Sequence, residues 1–217
     1  MRALLPWRVR KVVSDRFPLA YHLIANAGLS GNDAAYWDEQ LANTWDARDW
    51  PTKVERILAL TRSDDAILDV GCGNGSILRR LATHGYDRLH GFEISDYAVT
   101  RLRSEGIAMW QGKLPELCVP DAHFDVVIAS QVLEHVIRRR RFAHEIDRVL
   151  KPGGRALIFV PDDCLGPIDE PEHVIRYDAA SLRRFLARTF EVVSVESMRD
   201  ANFAVPVLFA QVRKVAS

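Results

Sequence analysis

The chain has little cysteine, no net charge and no long apolar run, and each scarcity removes a class of function. Three cysteines in 217 residues, Cys72, Cys118 and Cys164, are odd in number and widely spaced. That pattern speaks against a disulfide framework, suits a reducing cytosol and, with no CxxC pair, offers no cysteine metal site. Lys+Arg and Asp+Glu are 29 each, so the total charge points to no nucleic-acid or membrane partner. No stretch approaches the roughly 18 apolar residues of a membrane span. The amino-terminal apolar stretch is broken by Pro6, Arg8, Arg10 and Lys11, unlike the uninterrupted core of a signal peptide. Internal repeats and low-complexity segments are absent too. The expectation is a cytoplasmic protein with no membrane span and no nucleic-acid partner, monomer or homodimer.

What is present falls into two textures. Residues 1 to about 62 are rich in Trp, Arg and Asp and lack strand-like alternation. Arg2, Arg8, Arg10, Lys11 and Arg16 stand against Asp15 at the start, and Asp33, Asp38, Glu39, Asp46 and Asp49 stand against Arg48 further on. The basic arm suits either a solvated helix face or contact with a membrane surface or partner. From about residue 65, short apolar runs at 66–70, 89–93, 107–110, 124–129 and 154–160 alternate with helical patterns such as 76–82, 96–104 and 142–150. That alternation implies right-handed βαβ units and a mainly parallel sheet. Lys151-Pro152-Gly153-Gly154 reads as a helix stop and turn. Runs at 191–196 and 205–212 leave no room for a helix between them, so they pair antiparallel. The chain thus divides into a helical cap, 1–62, and a doubly wound domain, 63–217.

The strongest local signal is Asp69-Val70-Gly71-Cys72-Gly73-Asn74-Gly75-Ser76, an apolar strand running into alternating glycines before a helix. Glycine lets a ligand approach bare backbone, and the helix start offers unpaired N–H groups to an anion. A dinucleotide fingerprint, G-x-G-x-x-G/A, requires Gly or Ala where Ser76 stands, and here the third glycine falls one residue early. No Lys-Ser/Thr follows the glycines, which dismisses a P-loop. Asp69 at the strand end is poorly placed for a pyrophosphate but suits an ammonium, so an amino acid moiety fits better. Glu93 ends the next strand eighteen residues after Gly75. A carboxylate there can accept both hydroxyls of a ribose, or serve as a helix cap or surface charge.

These residues resemble the class I S-adenosylmethionine-dependent methyltransferases, in particular the small-molecule and quinone O-methyltransferases. The resemblance spans about residues 60 to 197 and rests on five stretches in order. They are ILDVGCGNG from Ile67, the acid Glu93, Gln111-Gly112-Lys113-Leu114, PDAHFDVVIAS from Pro120 and RVLKPGGRALI from Arg148. It implies a Rossmann-like α/β fold of seven strands with a C-terminal antiparallel strand. It also implies S-adenosylmethionine as methyl donor and S-adenosylhomocysteine as product. Gly71, Cys72, Gly73 and Gly75 would line the methionine moiety, with Asp69 near its ammonium. Glu93 would bind the ribose, Ile94 would pack on the adenine, and Leu114 would offer its backbone N–H to the ring. Lys113 departs from the usual Asp, and a donor-only side chain cannot accept from the adenine amino group. Ser130 and Gln131 would lie near the sulfonium.

Gln131-Val132-Leu133-Glu134-His135 follows the fourth strand. On a helix, positions 131, 134 and 135 would share one face. His135, with Glu134, would then be a general base or a structural hydrogen-bonding residue. Some relatives bind a divalent metal through Glu-x-x-Glu-His and a later His. Here Glu134, His135 and His173 match, but Gln131 replaces the first Glu, and losing a charged ligand weakens a hard-cation site, so no metal is expected. Arg138, Arg139, Arg140 and Arg141 are read as solvated, or as binders of an anionic substrate. Tyr36, Trp37, Trp45 and Trp50 either shape an acceptor pocket or fill a satellite core, with Tyr36 the foremost pocket residue. Asp162, Asp163 and Pro167 are candidates for the opposite wall, and His173 is a candidate for substrate binding beside Tyr36.

The activity expected is methyl transfer to a small-molecule acceptor, at a hydroxyl before an amine or carbon. Rivals are a 2′-O-methyltransferase acting on RNA, a cofactor-binding partner subunit without catalysis, and a nicotinamide-dependent oxidoreductase. Neutral charge weighs against RNA, and Ser76 and Asp69 weigh against nicotinamide.

Overall fold

In the computed structural model, residues 6–25, 32–45, 49–199 and 205–215 are described. Arg2, Asp46 and Arg48 of the uneven charge runs lie outside them. Four helices come first, α1 (Trp7–Arg16), α2 (Pro18–Ala25), α3 (Ala34–Thr44) and α4 (Pro51–Leu58). Strands and helices then alternate through β1 (Ile67–Val70), α5 (Ser76–Thr83), β2 (Leu89–Glu93), α6 (Asp96–Ser104), β3 (Ala108–Gln111) and β4 (Phe124–Ser130). A single 3-10 turn, Leu133–His135, leads into α7 (Arg139–Val149), β5 (Leu150–Pro161), α8 (Ala179–Leu186), β6 (Phe190–Met198) and β7 (Val207–Lys214).

The seven strands lie in the order β3-β2-β1-β4-β5-β7-β6. Pairings among β1 to β5 are parallel, and β7 runs antiparallel to both β5 and β6. The expected seven-stranded, mainly parallel sheet with an antiparallel C-terminal strand is what forms. All four residues of β1 are buried, as expected of a strand covered on both faces. Within that apolar run the period of two still sorts side chains. Leu68, Val70, Val127 and Ala129 face Phe142, Ile146 and Leu182 of α7 and α8. Ile67, Val126, Ile128 and Leu157 face Leu41, Ile57, Leu78 and Leu102 on α3 to α6. Of the first four helices, α3 and α4 therefore join the layer that covers one side of the sheet.

Two local expectations change. Residues 151–154 do not separate α7 from a later strand, because β5 already begins at Leu150. The Pro-Gly pair is absorbed as a bulge, with a register shift between Phe124 and Val126 and Gly153 at φ 76°. Residues 131–135 are not an α-helix either. Gln131 sits at φ 57° and donates its N–H to Phe159 O at 2.8 Å, and only Leu133–His135 form a short turn. Gln131 is thus set off from Glu134 and His135 by a left-handed residue rather than stacked over them.

Gly75 shows why the last glycine of the loop is glycine. It caps α5 at φ 72°, and a Cβ there would stand 2.5 Å from a methyl of the buried Leu102. Gly75→Ala combines left-handed strain with overpacking of a full core, each costing about 1–3 kcal/mol. Its melting temperature should fall by roughly 5–10 °C, as read by calorimetry or circular dichroism.

Candidate active site

Strand order reverses between β1 and β4, and ligands of such sheets bind at the carboxyl ends of the strands at that point. A cleft of about 950 Å³ opens there. Its floor is the β1–α5 loop, where Gly71 and Gly73 adopt φ 66° and 53°. Asp69, Gly71, Cys72, Gly73, Glu93, Ile94, Lys113, Leu114, Ser130 and Gln131 all line it, as do Tyr36, His135 and His173. Gly75 and Glu134 do not. Gly75 faces Leu102 instead of the cleft, and Glu134 is buried behind the wall.

Glu93 holds the floor together. Its carboxylate accepts backbone N–H bonds from Gly73 at 2.9 Å, Ile94 at 2.8 Å and Ser95 at 3.1 Å. The helix cap that a strand-end acid can provide is made by Ser95, whose hydroxyl accepts from Ala98 N–H at 3.1 Å. Burial raises the pKa of Glu93, and the three amides pull it back.

Asp69 is as deeply placed, 2% exposed, but no hydrogen bond to its carboxylate exists among the described residues. Burial, then the Glu93 charge, pushes its pKa up to about 8, and the ammonium of Lys53 draws it down. Glu134 is the second such acid, with both carboxylate oxygens buried and without a hydrogen bond among the described residues. Burial lifts it to about 8, opposed first by its own backbone N–H and then by Lys53. Burial raises the pKa of Cys72 too, with Glu93 and Asp69 adding to it, so it is an inert thiol.

Lys53 is the residue that the sequence did not disclose. It comes from α4, is wholly buried, lies over the Trp50 ring at 3.7 Å and donates to Ser130 Oγ at 3.2 Å. Its charge therefore reaches Asp69, Ser130 and Glu134 from beneath the cleft. A lysine in an amphipathic helix reads as surface, and only the tertiary fold shows otherwise.

The other wall is histidine and aromatic. His135 meets Trp37 edge-on at 5.6 Å and His173 at 4.7 Å. One donor atom each from Glu134, His135 and His173 lie within 4.8 Å of one another. Burial lowers the pKa of His173, so a neutral imidazole and a protonated Glu134 face each other there at neutral pH. Two imidazoles and a carboxylate form a donor set that suits a first-row divalent ion. Tyr36, Trp37 and Trp50 line the cleft, whereas Trp45 is core, edge-on to Tyr97 at 5.4 Å. The loop after β5 contributes Leu165, Glu170, Glu172 and His173 to the wall, but not Asp162, Asp163 or Pro167. Asp162 is turned away, bonding Ser197 and bridging to Tyr177. Of the arginine run, Arg140 and Arg141 are exposed, Arg139 lies 5.7 Å from the Phe185 ring, and Arg138 alone reaches the cleft. His22, on α2, also lines the cleft, and its Nδ1 lies 3.1 Å from Pro171 O.

Both raised acids carry a sign for stability. Unfolded, Asp and Glu ionise near pH 4, while in the fold these two stay protonated to about 8. The native state then binds more protons than the unfolded one, so ligand-free stability falls as pH rises across that window and levels off above it. Glu134→Gln should flatten this decline and melt above the wild type at pH 8, with little difference at pH 4. Parallel melting profiles from pH 4 to 8 would contradict it.

Residues 68–158 match the methyltransferase domain family. Over 128 residues the chain is 34% identical to 27-O-demethylrifamycin SV methyltransferase of Amycolatopsis mediterranei, a match covering 55% of this chain and 47% of that one. It is 30% identical over 158 residues to 24-methylenesterol C-methyltransferase 2 of Oryza sativa, covering 64% and 44%. An S-adenosylmethionine-dependent methyltransferase from Mesorhizobium loti shares the fold, with TM-score 0.63 and 19% identity over 78% of this chain and 100% of that one. The chain spans about half the length of the curated relatives it matches. Residues 68–158 thus form a methyltransferase domain, and the chain is similar in sequence to known methyltransferases and in fold to S-adenosylmethionine-dependent ones.

Proposed function

We propose that the chain methylates a hydroxyl of a small-molecule acceptor, with residues 63–217 as the catalytic domain and residues 1–62 as its cap. The observation that carries this reading is the continuity of one cleft, from the glycine loop and Glu93 to the His135, His173, Tyr36 and Trp37 wall. Its volume of about 950 Å³ lies at the top of the range for single-ligand sites, roughly 300–1,000 Å³. A donor and an acceptor side by side would fill such a space.

The floor fits S-adenosylmethionine on two counts. Asp69 is a buried carboxylate without a hydrogen-bond partner among the described residues, so an ammonium beside it would restore its charge. At Gly73 a Cβ would project into space where only Leu41 comes near, at 3.6 Å, which leaves bare backbone for the ligand. Gly71, Gly73 and Cys72 would hold the methionine end, with Ser130 and Gln131 near its sulfur. Glu93 would receive the ribose hydroxyls, Ile94 would pack on the adenine, and the Leu114 N–H would read the ring edge. Lys113 is exposed, which suits a role outside direct adenine recognition. When bound, the donor supplies an activated methyl on a sulfonium.

The chain's own contribution is then alignment and a place for one proton. An oxygen nucleophile has a proton to lose, and His135 stands at the acceptor wall to take it. The edge of Trp37 and the neighbouring His173 fix the imidazole, while Tyr36 and Trp37 offer flat apolar area to a ring-bearing acceptor. The curated relatives named above act on oxygen in one case and carbon in the other, and the placement of His135 favours oxygen here.

The test is formation of S-adenosylhomocysteine with a panel of phenols, quinols and alcohols. His135→Ala should lower kcat by roughly 10²–10⁴ with little change in the KM for the donor. Asp69→Asn should instead raise that KM by about tenfold or more, the worth of a charge-assisted hydrogen bond. Unchanged turnover in His135→Ala would remove it from the mechanism, and wild-type inactivity across the panel would count against hydroxyl transfer.

A further inference from the structure

Outside the cleft, the described residues concentrate their apolar exposure in one place. Of the ten large hydrophobic side chains exposed among the described residues, seven lie between Trp7 and Ile24, on α1, α2 and the joint between them. The outward face of α2 consists of Leu19, Ala20, Leu23 and Ile24, while Tyr21 and His22 turn inward. No residue of that helix is acidic, Lys or Arg. Phe17 joins the two helices at 60% exposure, and Trp7 and Val12 of α1 add 55% and 66%. Isolated exposed apolar residues are ordinary, but a contiguous set marks an interaction surface.

Charge identifies the partner. Residues 6–25 contain Arg8, Arg10, Lys11 and Arg16 against Asp15 alone. Asp15 is itself engaged, at 3.4 Å from Lys11 and 2.8 Å from Arg176. Cationic side chains in the same stretch, Arg8 and Arg16 exposed, with Trp7 and Phe17 among the exposed apolar ones, match a bilayer interface that carries anionic headgroups. A second copy of the chain, meeting this face symmetrically, would oppose one cationic cluster to another. The eight residues of α2 extend about 12 Å, far short of the ~30 Å hydrocarbon core, so the helix can only lie along the surface.

The patch adjoins the cleft. His22, on the inner side of α2, lines it, and the exposed Ile137 stands on its rim. We propose that α1 and α2 dock on an anionic lipid surface, with Leu19, Leu23 and Ile24 in the acyl boundary, and so deliver a lipid-soluble acceptor to the cleft. The delivery part rests on the cleft being the acceptor site; the docking part does not.

Flotation with vesicles of phosphatidylcholine alone, and of phosphatidylcholine with phosphatidylglycerol, tests the docking. Expected is binding to the mixed vesicles, at least about tenfold weaker to phosphatidylcholine alone and weakened by added salt. A Leu19→Gln/Leu23→Gln double variant should lose about tenfold or more of that binding, while its circular dichroism and its affinity for S-adenosylhomocysteine stay unchanged. Equal binding by the double variant, or wild-type protein that binds S-adenosylhomocysteine but no vesicle, overturns the proposal. Self-association by light scattering that the double variant abolishes, without vesicle binding, also overturns it, in favour of a second copy. Vesicle binding by a protein that fails to bind S-adenosylhomocysteine would uphold docking and refute the reading of the cleft.

Discussion

Everything at the carboxyl edge of this sheet depends on the carboxylate of Glu93. A buried acid is tolerated only if its charge is solvated by the protein, and three backbone amides perform that task. One amide belongs to the glycine loop and two to the turn into α6, so a single side chain ties the tip of β2 to the loop after β1. The neighbouring backbone completes the clasp: Gly71 N–H donates to Phe92 O at 2.7 Å and Gly112 N–H to Glu93 O at 3.1 Å. Three strand ends are thereby fixed relative to one another without a ligand, which is the preorganisation that a binding floor needs.

Asp69 and Glu134 show the opposite condition. They are buried close to the same floor without such a set of amides, and the charge that opposes their burial in both cases is Lys53, held at Trp50 and against Ser130. Both acids are consequently protonated at neutral pH in the ligand-free chain. An uncompensated acid at a cleft lowers stability, and proteins retain such groups where a ligand or a reaction requires them. Asp69 is open to the cleft and suits a cationic group; Glu134 lies behind His135 and suits the support of an imidazole. Lys53 reaches both from α4, so the helices before β1 contribute to the electrostatics of the floor as well as to the roof.

What the sequence disclosed was what local chemistry determines. Alternating apolar runs and helices gave the sheet and its antiparallel close, and Asp69, Gly71, Gly73 and Glu93 gave the floor, because each acts through its own backbone conformation or its neighbour's. The losses came from contacts between distant segments. Gly75 looked like a ligand residue because glycine signals positive φ, yet the space that it leaves is filled by Leu102. Gln131 looked helical because its neighbours have helical spacing, yet a left-handed φ breaks the face. Asp162, Asp163 and Pro167 lost the wall to other residues of their own loop, whose path no pattern encodes. Lys53 and His22 lie 77 and 149 residues from their partners Ser130 and Pro171, so no local signal could have marked them.

The central claim is that this floor binds S-adenosylmethionine. Calorimetric titration of the purified chain with S-adenosylhomocysteine, repeated with Glu93→Ala, tests it most directly. One site with micromolar affinity in the wild type, lost in the variant while the variant still folds, is the predicted result. No heat at protein concentrations of tens of micromolar, or equal affinity in the two proteins, would contradict it.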